Sequence, residues 1–277
     1  MINGMQLKSM IKNMAAKTGI KANALLQNYM LERLLERISV SQYKWNFILK
    51  GGMLISAMIG LGSRTTMDMD TTMKGIEFSK ENLITIFEKI IAIQINDDIR
   101  FILKGIEEIR EEDEYGGYRI SLEAIFDKIV VPIKVDLSTG DVITPMEINF
   151  NFNLMFEDRK IEIPAYNIET ILAEKYETII SRGILNTRAR DFYDVYILTN
   201  LYWQEFSNTE FKQALDSTSS KRGTIEKMSK STSVIEELRL DNDIKKIWNA
   251  YSNKFNYANE IKFEDTLDSI GKLSKLL

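Results

Sequence analysis

Asp68 and Asp70 stand one residue apart in RTTMDMDTTMKG, residues 64–75, among threonines at 65, 66, 71 and 72 and methionines at 67, 69 and 73. The stretch reads as a strand, on which residues i and i+2 share a face with about 6.5–7 Å between them. Two carboxylates so placed repel, and each raises the pKa of the other. A divalent cation between them reverses that sign. Met67 and Met69 would point to the other face, toward a core. A D-x-D pair also arises by chance on a solvated strand or turn, so the neighbouring segments have to decide.

Three neighbours bear on it. Lys50, Gly51 and Gly52 join an apolar run to a helical one, where glycines let backbone N–H groups and a helix N-terminus approach a phosphate; a plain tight turn is the alternative. In VVPIKVDLSTGD, Asp136 closes a strand-like run and would supply a third carboxylate, or serve as a turn residue. Lys175 and Arg182, seven apart, share one helix face and would hold phosphates or line a solvated edge. Lys50 and Arg64 flank the same region, where each would contact phosphate or join a surface ion pair. The Walker A spacing and the kinase signatures are absent.

Composition narrows the chemistry. The 277 residues contain no cysteine and no histidine, which removes thiolate nucleophiles, zinc–thiolate sites and the usual general base. What remains is carboxylate, hydroxyl, lysine and arginine chemistry, matched to hard oxygen-bound cations such as Mg2+. A net charge of −4 gives no global attraction for nucleic acid, so such a partner needs a local basic patch. Neither a targeting pattern nor a membrane span is read, and a cytoplasmic protein is expected.

The elements that position these residues follow from periodicity. Residues 5–38 read as helices, WNFILKGG as a short buried strand and MLISAMIGLG as a helix. SKENLITIFEKIIAIQ is an amphipathic helix with Ser79 as N-cap, and IRFILKGIEEIRE, YRISLEAIF and IVVPIKVDL are strands. NIETILAEKYETIISRG is a helix that Gly183 closes, and TRARDFYDVYILTNLYW is another starting near Thr187. The fold class expected is α+β: a mixed-sheet lobe with N-terminal helices over 1–155, then a helical lobe over 156–277.

The blocks YMLERLLERISVSQYKWNFILKGGMLI, RTTMDMD, IKVDLSTGD and LAEKYETIISRGILNTRARDFYDVYIL, in that order, resemble the AbiEii/AbiGii toxin family of nucleotidyltransferases, within the DNA polymerase β-like superfamily. The resemblance implies a nucleotidyltransferase-like lobe and a toxin of type IV toxin–antitoxin and phage abortive-infection systems. It implies transfer of NMP from an NTP to RNA, such as the tRNA 3′ end. It assigns Gly51 and Gly52 to the nucleotide site, Asp68 and Asp70 to the metal pair, Asp136 to the third acidic position and Lys175 to the lysine of an EK helix. Asp191 and Asp194 fall in its RDxYD block. The superfamily usually has Gly-Ser here, and Met53 replaces that serine; backbone amides, Ser56 or Thr65 would then have to hold the triphosphate.

The mechanism expected has two Mg2+ ions held by Asp68 and Asp70, one of them also by Asp136. Asp136 takes the acceptor proton, and Lys175 and Arg182 neutralise the leaving pyrophosphate. Lys8, Lys12, Lys17 and Lys21, or Arg188 and Arg190, are candidate RNA contacts or merely solvated. The antitoxin is expected to be encoded separately, without a stable complex. A transferase for a small hydroxylated substrate and a non-catalytic nucleotide-binding protein are the alternatives.

Overall fold

The FILK run preceding the two glycines is buried at every position and forms strand β1, Phe47–Lys50. It lies within a seven-stranded sheet that organises the first of two units in this computed structural model, which describes residues 3–109 and 116–277. The first unit comprises residues 1–141 and 148–165, the second 142–147 and 166–277.

In the first unit, helix α1 (Gly4–Thr18) starts from Asn3, whose side chain accepts from the Gln6 N–H while Gln6 returns a bond to the Asn3 N–H. Gly19, in the left-handed region, ends it before α2 (Ala22–Val40). Helix α2 is buried continuously from Asn28 to Ile38, charged residues included. Burial on that scale requires pairing. Arg33 meets Glu32 at 2.8 Å, Glu36 at 2.9 Å and Glu157 at 2.7 Å, and Arg37 forks onto both oxygens of Asp97.

The sheet continues with α3 (Gly51–Ile59), β2 (Met69–Met73), α4 (Lys80–Ile91), β3 (Arg100–Ile109), β4 (Gly117–Phe126), β5 (Ile129–Thr139), β6 (Ile148–Asn153) and β7 (Lys160–Ala165). Its order is β3-β4-β5-β2-β1-β7-β6, with β2 parallel to β5, β1 parallel to β7 and antiparallel pairing elsewhere. Arg110 and Glu111, at the end of the third strand run read from the sequence, lie outside the described residues. Ser79 holds the N-cap position of α4 without a side-chain capping bond.

Alternation fixes the two faces. Ile129, Val131, Ile133, Val135 and Leu137 of β5 are buried on the side where α2 packs, and Phe47 meets Phe87 of α4 edge-on at 5.8 Å. The even-numbered positions of β5 stand on the other face. Two residues, Asp127 and Lys128, join β4 to β5, with Asp127 at φ +53°. Pairing then runs without a slip from Phe126↔Ile129 to Gly117↔Ser138.

Two features differ from the sequence reading. The strand expected through residues 64–75 begins only at Met69, so Asp68 precedes it. Met69 is fully buried, whereas Met67, ahead of the strand, is exposed and offers its carbonyl to Gln27. The sheet also gains the β6–β7 hairpin, which carries this unit past residue 155 to Ala165.

The second unit is helical: α5 (Ile168–Arg182), α6 (Ala189–Tyr202), α7 (Asn208–Lys221), α8 (Ile225–Met228), α9 (Ser231–Leu240), α10 (Asn242–Lys254) and α11 (Phe263–Ser274). Asn167 caps α5 through the Thr170 N–H, and Gly183, at φ +51°, closes it. Phe211 and Trp248 are core residues; Trp203, Tyr251 and Phe255 are half-buried within aromatic clusters.

Candidate active site

The strand registers bring four charged residues into one row across the sheet. Lys50 of β1 stands opposite Asp70 of β2, Asp70 beside Asp136 of β5, and Asp136 opposite Arg119 of β4. Residues paired directly across neighbouring strands share a face, so the row reads plus, minus, minus, plus on the side away from α2. Strands lie about 4.8 Å apart, which puts the Asp70 and Asp136 backbones at that spacing.

Asp68, one residue ahead of β2, accepts from the Thr66 hydroxyl at 2.8 Å. Its charge also acts on Arg119. That guanidinium is held above its ordinary pKa, first by its hydrogen bond to Asp136 and then by the charges of Asp136, Asp68 and Glu107. The Arg119–Asp136 pair is a fork: Nε donates to Oδ1 and Nη2 to Oδ2, each at 2.7 Å.

The two glycines make this packing possible. Gly51 has φ +64°, and a Cβ there would lie 2.7 Å from Asp70 Cγ. A Cβ on Gly52 would lie 2.7 Å from Thr66 Oγ1 and 3.2 Å from an Arg64 guanidinium nitrogen. Thus the atoms that approach this backbone belong to Asp70, Thr66 and Arg64. Helix α3 begins at Gly51.

The flanking basic residues are interior, not surface, groups. Lys50 is buried with Nζ 2.5 Å from Asp141 Oδ2, which the Ser138 hydroxyl also approaches at 2.6 Å. Arg64 is buried beside Gly52, donates to the Thr65 carbonyl, and through its own carbonyl accepts from Ser56. Ser56 is therefore committed to the fold, and Thr65, half-buried, is the better placed of the two proposed stand-ins for the missing serine.

Lys175, Arg182, Asp191 and Asp194 all belong to the second unit. Lys175 of α5 is clamped by two buried aspartates of α6, at 2.5 Å from Asp191 and 3.2 Å from Asp194. Asp191 Oδ2 is buried without a hydrogen-bond partner. Arg182 is exposed at the end of α5, and Arg188 and Arg190 are also exposed, as are Lys8, Lys12, Lys17 and Lys21.

The donor set around Asp70 is all oxygen, which fits a hard divalent cation. Among the described residues, however, no three acidic side chains are gathered as a metal-holding group. Asp68 and Asp70 present carboxylates that could hold such an ion, whereas the two oxygens of Asp136 both face Arg119.

Arg119, Asp141 and Thr66 escaped the sequence reading. Asp141 lies inside the block IKVDLSTGD, five residues past Asp136. Arg119 was recoverable in principle: a two-residue turn at 127–128 makes 119 and 136 partners by counting.

A family model described as "Nucleotidyl transferase AbiEii toxin, Type IV TA system" matches residues 33–269. Among solved structures, JHP933 from Helicobacter pylori is 18% identical, with 93% of this chain and 92% of that chain covered and a TM-score of 0.52. A candidate nucleotidyltransferase from H. pylori is 16% identical over 93% of this chain and 95% of its own, with a TM-score of 0.51. These two likenesses establish the shared α+β fold. No curated protein sequence matches significantly.

Proposed function

Because the chain belongs to the AbiEii nucleotidyl transferase toxin family of type IV toxin–antitoxin systems, we propose that it transfers NMP from an NTP to an RNA acceptor, the 3′ end of a tRNA. The observation that carries this reading is the register that sets Asp70 beside Asp136 on one sheet face, with Asp68 two residues ahead.

In this reading Asp68 and Asp70, joined by Asp136, would hold Mg2+. Bound there, divalent ions would neutralise the triphosphate and ease ionisation of the acceptor hydroxyl. Asp136 accepts that proton, in a chain with no histidine to do so. The acceptor oxygen bonds to the α-phosphorus as the bond to the β-phosphate oxygen breaks, and pyrophosphate leaves. Gly51 keeps the Asp70 carboxylate close to the start of α3, and Thr66 orients Asp68. Roles for Gly52, Lys175, Asp191 and Asp194 rest on the family resemblance, those for Lys50, Arg64 and Arg182 on their place in the sequence, and that for Thr65 on the missing serine; all are tested by substitution.

The family implies an NTP substrate and a cognate antitoxin. No helix among the described residues is long and apolar enough to cross a membrane.

Purified protein, Mg2+, total tRNA and each NTP labelled at the α or γ phosphate test the proposal. Label carried to RNA from the α position alone is expected, and Asp70→Asn should reduce it by roughly 10²–10³-fold with an unchanged circular dichroism spectrum. Retention of γ label would mean phosphoryl transfer instead. Absence of label on RNA in every condition would reject the RNA acceptor and favour a small hydroxylated substrate or a non-catalytic nucleotide binder.

A further inference from the structure

We propose that Arg119 occupies, with its guanidinium, the place at Asp136 that a divalent cation takes during the reaction, so that metal binding and release of Arg119 are one competitive event. The inference rests on the metal reading of Asp68 and Asp70 given above.

Three observations lead to it. The fork is complete, with Nε and Nη2 each at 2.7 Å from a different oxygen of Asp136, so the carboxylate presents both oxygens to arginine. The arginine is the removable partner: its side chain is 35% exposed, against 10% for Asp136. Finally, Asp70 and Asp136 are adjacent in register between Lys50 and Arg119, so on the Asp136 side the balancing charge is the guanidinium. A guanidinium supplies that charge on a tether of four bonds from the β4 backbone, and it can turn toward solvent without disturbing the strand. The arginine therefore keeps Asp136 neutralised while no ion is present, and it sets how tightly an ion is held there.

The test measures Mn2+ binding without nucleotide, by electron paramagnetic resonance of the free ion, at one fixed pH. Arg119→Gln should bind Mn2+ roughly tenfold more tightly than wild type, since a charge-assisted pair no longer competes. Arg119→Lys, a point charge without the fork, should fall between them, and it keeps the test valid if the Gln variant melts early. In an Asp136→Asn background the Arg119→Gln effect should vanish. If Arg119 instead merely orients Asp136 as a ligand, Arg119→Gln binds Mn2+ more weakly; that result, or unchanged affinity, overturns the proposal. Failure of the underlying metal reading has a separate signature: no Mn2+ binding in wild type or variant, or binding that persists in Asp70→Asn.

Discussion

The carboxylate of Asp70 occupies the space that a side chain on residue 51 would need. Gly51 is thus fixed twice over, by its left-handed backbone at φ +64° and by the acid packed against it. Gly51→Ala should cost about 2–3 kcal/mol in urea unfolding, combining backbone strain with displacement of Asp70. Gly62→Ala is the control, because nothing lies within 4 Å of a Cβ there, and its stability should stay within about 0.5 kcal/mol of wild type. Equal costs at the two positions would contradict the packing described.

Lys175 neutralises two buried aspartates at once. Lys175→Met should remove the charge that both buried aspartates face and destabilise the chain by about 3 kcal/mol. Adding Asp191→Asn to that variant should restore part of the loss, a coupling that a double-mutant cycle in urea unfolding measures directly. Strictly additive effects would show no coupling between Lys175 and Asp191.

Glu32 gives a pH signature. Burial pushes its carboxyl up to about 7, with the Arg33 charge and the Met155 N–H pulling the other way. Between its unfolded value of 4.5 and about 7, the folded protein keeps a proton that the unfolded chain has lost. Stability from this group therefore falls as pH rises through that window, by an amount on the order of 3 kcal/mol, and is level above it. Glu157, whose pKa is lowered by Arg159 and Arg33, acts in the opposite sense and below the window. Urea unfolding at pH 5, 6, 7 and 8 should show the decline in wild type and a flatter profile in Glu32→Gln; identical slopes would refute the assignment.

Much of this was legible in the residues, and the parts that were not have physical reasons. Helices α3, α4, α5 and α6 announced themselves through apolar spacing and glycine stops, both local signals, whereas the side chain that caps α5 is Asn167 and the expected cap Ser79 makes no such bond at α4. The β6–β7 hairpin escaped because β6 has only Phe152 buried, so INFNFN lacks the apolar run of an interior strand. Asp68, Asp70 and Asp136 stood out because like charges on strands are conspicuous. Lys50 and Arg64 did not reveal that they are interior groups, because their partners lie in other segments: Asp141 for Lys50, Ser56 for Arg64. Arg119 was hidden for the same reason, its partner being seventeen residues away along the chain.

The brief reversal at Asp127 and Lys128 consequently works as a gauge for the charge at the heart of the molecule. One extra residue inserted there, if the strands re-paired by a single step, would turn every side chain of β4 over, sending Arg119 into the hydrocarbon layer and offering Ile120 or Tyr118 to the acids. Loop length, a quantity usually free to drift on a protein surface, is here tied to electrostatic balance some ten residues distant.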